Sequence, residues 1–298
     1  MQRRKEYEFN IEALEFPAQG IAYYEGEKVM IKNTLPGQKV IAKVSRKKPL
    51  VVEAKLVKIL EDVDYKVEPL CKITEFCGGC SHQFLSYEKQ LEFKKQQVLK
   101  LFEDEEIKDF EFLGIQQSPE QFEYRNKMEF TFGDFRKNEE LTLGMHTKGR
   151  SFSIVTVDDC KIVDVDFREI LKLVLNYFTE LKLPHYNVME RKGYLRNLVI
   201  RKAKNTGEIL VNLVTTSQMD LDLSEITSKL KELKCAGVIT GVMHTYNDSL
   251  SDIVQADKTE LLYGKDYIME NILDLKFKIN PFAFFQKIGR ASCRERVW

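Results

Sequence analysis

The stretch "CKITEFCGGCSHQFLSYEKQLEFK" at residues 71–94 separates two regions of different character. Short β-type segments precede it, and a longer mixture of strand and helix patterns follows it. The stretch holds three of the six cysteines in the chain, Cys71, Cys77 and Cys80, around a Gly78-Gly79 pair. The role of these cysteines therefore decides what kind of domain the chain builds around them.

The segment directly after the cysteines has the pattern of an amphipathic helix. We predict this helix over residues 86–104, with Ser86 as its N-cap. Its apolar face is formed by Tyr87, Leu91, Val98 and Phe102.

The region before the cysteines predicts a small β-barrel. Five short runs between residues 5 and 60 alternate apolar and polar residues, and "FPAQG", "YEGE" and "LPGQ" separate them. Such spacing is typical of a closed barrel of OB type. Its basic segment "SRKKPL" (45–50) is either a solvated surface loop or a phosphate-contacting loop.

The region after the helix predicts a mixed α+β domain. "YLRNLVIRKAKNTGEILVNLVTT" (194–216) and "GVITGVMHTYND" (237–248) have the alternation of antiparallel hairpins, and "KNTGE" is a turn. Helical patterns interrupt these strands at residues 166–182 and 222–233. A further strand begins at 276 and leads into an aromatic cluster that ends at Gln286.

Composition restricts the class of protein. The chain has 46 basic and 46 acidic residues, so any basic surface must be local. It has no apolar run long enough for a transmembrane helix and no apolar segment after its basic start, so we expect a cytoplasmic protein without a membrane partner. In that compartment, clustered cysteines indicate metal binding or catalysis more often than disulfides.

The cysteine spacing indicates a four-thiolate site. Cys160 in "VDDCKIVD" is a remote fourth candidate beside the three clustered cysteines. Zinc and a [4Fe–4S] cluster both accept four thiolates, and the three-plus-one arrangement favours the cluster. The five residues between Cys71 and Cys77 do not fit a radical S-adenosylmethionine motif. Cys235 borders an apolar run and is interpreted as a buried structural thiol, and no histidine is assigned a role.

These motifs together resemble the RNA uracil-5-methyltransferase family, and most of all its bacterial iron–sulfur branch that modifies 23S ribosomal RNA. The resemblance covers nearly all of residues 5–287. It is carried by the cysteine loop, "EYRNKMEF" (123–130), "LGMHTKGRSFSIVTVDDC" (143–160), "YLRNLVIR" (194–201), "TGEILVNLVT" (206–215) and "INPFAFFQ" (279–286).

The resemblance implies a multidomain α+β fold. A TRAM barrel, the OB-like RNA-binding module of the family, would occupy residues 1–60. A central, mixed antiparallel α+β domain that binds the cluster and RNA would occupy 61–275, with 86–118 packing on the catalytic domain. Residues 276–287 would be only the start of a Rossmann-like methyltransferase domain.

The resemblance also implies roles for particular residues. Cys71, Cys77, Cys80 and Cys160 would hold a [4Fe–4S] cluster. Gln286 would be the first residue at the pocket for S-adenosylmethionine and uracil. Phe284 would lie in the target-base pocket, although "FAFFQ" alone also fits a core aromatic cluster. Arg125 would face the RNA, although an internal salt bridge accounts for it equally well.

The implied function is methyl transfer to C5 of a uridine in 23S ribosomal RNA, through a covalent cysteine–C6 adduct. The glycine-rich cofactor loop, the nucleophilic cysteine and the general base of the family are missing from this sequence. Residues 288–298 match one frame of a sequencing-adapter oligonucleotide through Val297, so we interpret them as non-native read-through. The alternative is a genuine basic tail. We therefore expect a C-terminally truncated, inactive fragment that requires no protein partner. The alternatives are a transfer-RNA uracil-5-methyltransferase and a non-enzymatic, metal-containing RNA-binding module.

Overall fold

The computed structural model describes residues 1–16, 18–250 and 256–285. The chain forms two compact units. The smaller unit contains Met1–Leu70 and Cys80–Gln117, and the larger unit contains Cys71–Gly79 and the chain from Ser118 onward. The domain boundaries predicted after residues 60 and 275 stay predictions.

The smaller unit is built on a six-stranded sheet, one strand more than the sequence predicted. Its strands are β1 (Glu6–Asn10), β2 (Ala13–Glu15), β3 (Gln19–Tyr24), β4 (Glu27–Lys32), β5 (Lys39–Lys47) and β6 (Val52–Glu61). They are ordered β1-β5-β6-β4-β3-β2, and only the β4–β6 pair is parallel. Alternate apolar residues of these strands form one buried core.

The predicted helix is α1 (Tyr87–Asp104), and the Ser86 hydroxyl caps it by accepting from the Lys89 N–H at 3.3 Å. The predicted apolar face was wrong, because the buried side chain of α1 is Phe93. Phe93 packs in a small core with Leu85, which directly precedes the cap, and with Leu14 and Leu35, which are remote in sequence. Helical periodicity alone could not identify this core.

The basic segment at 45–50 lies at the end of β5 and in the turn before β6. Lys47 pairs with Glu27 at 2.7 Å, and Lys48 pairs with Glu53. Two of its cations are therefore engaged by carboxylates of the same unit, which favours a structural surface segment over a phosphate-contacting loop.

The larger unit is built on a seven-stranded sheet with the order β13-β12-β11-β10-β7-β8-β9, and on a separate hairpin of β14 and β15. The strands are β7 (Lys127–Asp134), β8 (Leu141–Thr147), β9 (Arg150–Thr156), β10 (Leu195–Lys202), β11 (Glu208–Thr215), β12 (Val238–Tyr246), β13 (Lys258–Gly264), β14 (Ile268–Ile272) and β15 (Leu275–Ile279). The strand predicted at 276 is thus β15.

Two helices complete this unit near the predicted positions, α2 (Val165–Glu180) and α3 (Ser224–Glu232). The turn at "KNTGE" joins β10 and β11 as an antiparallel hairpin, as predicted. The segment "GVITGVMHTYND" was predicted to form an antiparallel hairpin. Its strand β12 instead pairs with β11 in parallel, so the prediction was wrong for this pair. The chain returns between these strands through α3, and a parallel pair requires such a crossover.

The strands β10 and β11 lie in the middle of this sheet, and nearly every residue in them is buried. Side chains on both faces of these strands are thus removed from water, including polar ones. Among the described residues, no helix has the length and apolar character needed to cross a membrane.

Candidate functional site

One buried arginine holds the segment before Gln286. Arg201 on β10 is 2% exposed, and its guanidinium donates to the carbonyl oxygens of Pro281 (3.0 Å) and Phe285 (3.1 Å), and to that of Ala283. A guanidinium presents five N–H donors in a fixed fork, so one side chain can serve three carbonyls. Strand β10 therefore sets the path of this segment. Gln286 itself lies outside the described residues, and its role stays a prediction.

The aromatic residues of this segment have different surroundings. The Asn280 Oδ1 accepts from the N–H of Phe282 at 2.9 Å, which closes a turn. The ring of Phe285 lies 5.7 Å from that of Phe277, whereas Phe284 is 92% exposed. The core-cluster alternative therefore describes Phe285 but not Phe284.

The charge of Arg201 is balanced by backbone dipoles. Burial lowers the pKa of Arg201 to about 10, and the nearby Glu129 carboxylate opposes this effect. Within the described part of the chain, no carboxylate forms an ion pair with Arg201. The guanidinium remains protonated at neutral pH, so the three carbonyls solvate a buried cation.

A cavity of about 800 Å³ lies in the same unit, and Arg125 and Phe285 both line it. Its walls are rich in charge of both signs. The charged lining residues are Glu120, Glu123, Arg125, Asp164, Lys202, Lys204, Glu270, Asp274 and Lys276.

A buried ion pair fixes one wall of this cavity. The Lys202 ammonium lies 2.5 Å from Asp164 and 2.6 Å from Asp166, which is 1% exposed. The Asp166 carboxylate also accepts from the N–H groups of Ala236 (2.7 Å) and Gly237 (2.8 Å). Burial raises the pKa of Asp166, but these hydrogen bonds outweigh burial and leave the pKa below its usual value.

A second wall is fixed by Glu270, which is 3% exposed. Its carboxylate accepts from the N–H groups of Lys204 (2.6 Å), Asn205 (3.1 Å) and Asn271 (2.9 Å). The Glu270 carboxylate thus holds three backbone N–H groups of the cavity wall in place.

The Arg125 Nε donates to the Lys127 carbonyl at 3.2 Å. Its predicted role towards RNA stays a prediction, but its position in the cavity wall is known.

The first cysteines lie in a loop docked on the β8–β9 turn. The Gly78 N–H donates to the His146 carbonyl at 2.9 Å, and the Lys148 N–H donates to the Phe76 carbonyl at 2.7 Å. A Cβ on Gly78 would lie 2.8 Å from that His146 oxygen, so this approach requires glycine. Lys148 Nζ also donates to the Thr74 carbonyl at 2.6 Å.

Amide groups approach two of the sulfur atoms. The Gly79 N–H lies 3.4 Å from the Cys77 Sγ, and the Gln83 Nε2 lies 3.3 Å from the Cys80 Sγ. Cys71 and Cys77 belong to the larger unit, where Cys160 is also buried, whereas Cys80 belongs to the smaller unit.

The described residues do not fit a metal group as they stand. Among them, no three or more Cys, His, Asp or Glu side chains are arranged to hold a metal ion. Cys71, Cys77 and Cys160 of the larger unit are therefore not arranged as a metal site in the part of the chain that the structure describes. The cluster stays a prediction from the sequence spacing.

Cys235 is a half-buried thiol near the Lys202 ion pair. Burial raises its pKa to about 11, and the charge of Asp166 adds to this effect. A thiol with so high a pKa is a poor nucleophile at neutral pH, in agreement with its interpretation as a structural residue.

The sequence analysis missed Arg201 and the Asp166–Lys202 pair. Arg201 and Lys202 are adjacent in "NLVIRK", at the end of a strand buried on both faces. Two cations at the end of such an apolar run could have identified Arg201 and Lys202 as site residues. A buried cation needs partners that neutralise or hydrogen-bond to it, so its position in a buried strand indicates a polar site.

Known proteins resemble this chain in sequence and in fold. Residues 1–57 match the family model of the TRAM domain. A Clostridium tetani protein described as an uncharacterized RNA methyltransferase is 57% identical over 292 residues. A similarly described Caldanaerobacter subterraneus protein is 45% identical over 276 residues. The matches cover 98% and 93% of this chain, but the chain spans only 64% and 61% of these relatives.

A solved structure shares the fold. The Pyrococcus abyssi tRNA (uracil-54, C5)-methyltransferase, in complex with S-adenosyl-L-homocysteine, aligns with a TM-score of 0.72 at 24% identity. The alignment covers 94% of this chain and 61% of that one. The chain thus carries an N-terminal TRAM domain and is, over nearly its whole length, a homologue of proteins described as RNA methyltransferases.

Proposed function

We propose that the protein containing this chain transfers a methyl group from S-adenosylmethionine to C5 of a uridine in 23S ribosomal RNA, in the cytoplasm. The observation that carries this proposal is the 57% identity to a protein described as an RNA methyltransferase. The fold shared with a tRNA uracil-C5 methyltransferase supports uracil as the target base. The four-cysteine spacing, which resembles the ribosomal branch of the family, favours ribosomal over transfer RNA.

The chemistry requires a nucleophile, because C5 of uracil is too weakly nucleophilic to attack a methyl sulfonium directly. A cysteine thiolate adds to C6, and the resulting enolate attacks the methyl group through C5. A base then removes the C5 proton, and the thiolate leaves. S-adenosylmethionine supplies the methyl group. The uridine must first leave its RNA stack to be reached.

We assign the nucleophile and the base to sequence beyond residue 287 of a longer protein. Cys235 has too high a pKa, and the other four described cysteines are the predicted cluster ligands. The chain by itself is thus proposed to bind RNA without methylating it.

The TRAM domain and the central region would hold the folded RNA. Arg125 would contact its backbone, and Phe284 would lie beside the target base. Two observations support these roles: Arg125 shares a cavity wall with Phe285, and the Phe284 ring is exposed. Gln286 is proposed to contact uracil or S-adenosylmethionine.

The test is to express the complete reading frame that contains this chain and to incubate the product with S-adenosylmethionine and unmodified RNA. We expect 5-methyluridine in 23S ribosomal RNA, detected by nucleoside mass spectrometry. The 298-residue chain is expected to yield none. Methylation of transfer RNA alone would replace the proposed substrate, and the absence of 5-methyluridine from both RNAs would refute the proposed activity.

The iron–sulfur prediction has its own test. Anaerobically purified protein is expected to be brown and to contain about four iron and four sulfide per chain. Cys80→Ser is expected to reduce the iron content sharply, whereas Cys235→Ser leaves it unchanged. A colourless protein with stoichiometric zinc would show that the four-thiolate site holds zinc, and a metal-free protein would refute the site altogether.

A further inference from the structure

A second cavity of the larger unit lies beside β9, the edge strand of its sheet. Its volume is about 580 Å³, which is within the range of small-ligand sites. The ends of β7 and β8, strand β9 and residues 185–190 form its walls. We call it the aromatic groove and define it by Phe135, Arg136, Arg150, Phe152, Tyr186 and Met189.

The groove exposes large apolar side chains. Phe152 is 65% exposed and Met189 is 74% exposed, and both line the same cavity. Exposed apolar groups that cluster at a concave surface mark an interaction site, because they leave apolar surface in water without contributing to the core. The groove therefore needs a ligand with apolar or aromatic faces.

The other two aromatic rings are held in place. The ring of Phe135 meets Phe76 edge-on at 6.3 Å, and the Phe135 carbonyl accepts from the Ser153 hydroxyl at 2.7 Å. The Arg196 guanidinium lies 4.4 Å from the centroid of the Tyr186 ring. Rigid rings reduce the entropy lost when a planar ligand binds.

The groove carries more positive than negative side chains. Its cations are Arg136, Lys137 and Arg150, and its carboxylates are Asp134 and Glu190. Glu190 is paired with Lys137 at 3.2 Å. Arg150 forms no ion pair with any residue that the structure describes. An anionic group at the groove would therefore find an available guanidinium.

A polar donor is also present. The Asn187 Oδ1 accepts from the N–H groups of Met189 (2.9 Å) and Glu190 (3.1 Å). These bonds fix the side-chain amide and leave its Nδ2 group for a ligand. Stacking faces, an available guanidinium and an amide donor are together the chemistry that recognises an unstacked nucleotide.

We propose that the aromatic groove binds one unstacked nucleotide of the RNA, distinct from the methylated uridine. Its base stacks on Phe152, and Arg150 contacts its phosphate. The inference rests on the proposed function, because it takes RNA as the ligand. It assigns this nucleotide a site separate from the cavity that Phe285 lines.

The test measures the affinity of the full chain for a fluorescently labelled, uridine-rich single-stranded RNA. Phe152→Leu removes the stacking ring but keeps an apolar side chain, and it is expected to weaken binding about tenfold or more. Phe152→Tyr keeps the ring and should bind like the unaltered chain. Arg150→Gln is expected to lower the slope of log K against log salt by roughly 0.7, the value for one phosphate contact on a single strand.

Matched controls lie on β13 and α3. Leu261→Ala removes a comparably exposed apolar side chain and Lys229→Ala an exposed cation, and neither should change the affinity.

If the unaltered chain binds RNA and Phe152→Leu binds equally well, the groove proposal is wrong while the proposed function stands. If the unaltered chain does not bind RNA, the proposed RNA binding by this chain fails, and the groove proposal fails with it. Equal binding of polyglutamate and RNA would also overturn the groove, since it would indicate attraction by charge alone.

Discussion

Arg201→Met is expected to release the segment that precedes Gln286 while leaving the rest of the larger unit folded. Each hydrogen bond from a charged donor contributes about 1.5–3 kcal/mol, and Arg201 makes three of them. The lowering of the Arg201 pKa to about 10 corresponds to a desolvation cost of roughly 3 kcal/mol, which the substitution removes. The segment is expected to lose a net of about 1.5 to 6 kcal/mol.

Hydrogen exchange measures this effect directly. Amides of residues 280–285 should exchange at least about tenfold faster in Arg201→Met, because the segment opens without global unfolding. Arg201→Lys should behave similarly, since one ammonium cannot serve three carbonyls in a fork. Arg196→Met is the matched control: this buried arginine of the same strand serves the carbonyls of Asn247 and Ser249 instead. Unchanged exchange in Arg201→Met would show that other contacts hold the segment.

Asp166→Ala is expected to destabilise the larger unit by about 3–5 kcal/mol. The substitution leaves the Lys202 ammonium with Asp164 as its remaining carboxylate partner, and it removes the acceptor of the Ala236 and Gly237 N–H groups. Urea denaturation at neutral pH measures this loss. Asp159→Ala is the control, because Asp159 is exposed and its pair with Lys161 should contribute at most about 1 kcal/mol.

The same carboxylate predicts how stability depends on pH. The pKa of Asp166 is lowered in the folded chain, so its contribution is fully present above the unfolded pKa of about 4. The contribution is lost as the pH falls through the lower, folded value. The unaltered chain should therefore lose more stability than Asp166→Ala between neutral pH and pH values below about 4. Parallel pH profiles for the two proteins would contradict this account.

Local elements of the fold were predictable because their signals are local. The Ser86 cap, the extent of α1 and the turn at "KNTGE" depend on residues a few positions apart, and the structure confirms them. The apolar face of α1 and the pairing of β12 were mispredicted, because both depend on which distant segment packs against them.

The candidate site follows the same division. Sequence alone indicated Arg125, Phe284, Gln286 and the cysteines as candidate site residues. The family resemblance of the sequence agrees with its homology to proteins described as RNA methyltransferases. The sequence could not show that Arg201 joins a central strand to residues 281–285. That contact spans about eighty positions, and no local pattern encodes it.

The sequence by itself thus determined the TRAM segment, the spacing of the cysteines, and the positions of the helices and of most strands. Only the tertiary structure decided which aromatic ring of "FAFFQ" is exposed, which cations are buried, and which side chains meet at the aromatic groove. The physical reason is that burial and charge compensation depend on neighbours in space. A residue acquires those neighbours only when strands remote in the chain are brought side by side.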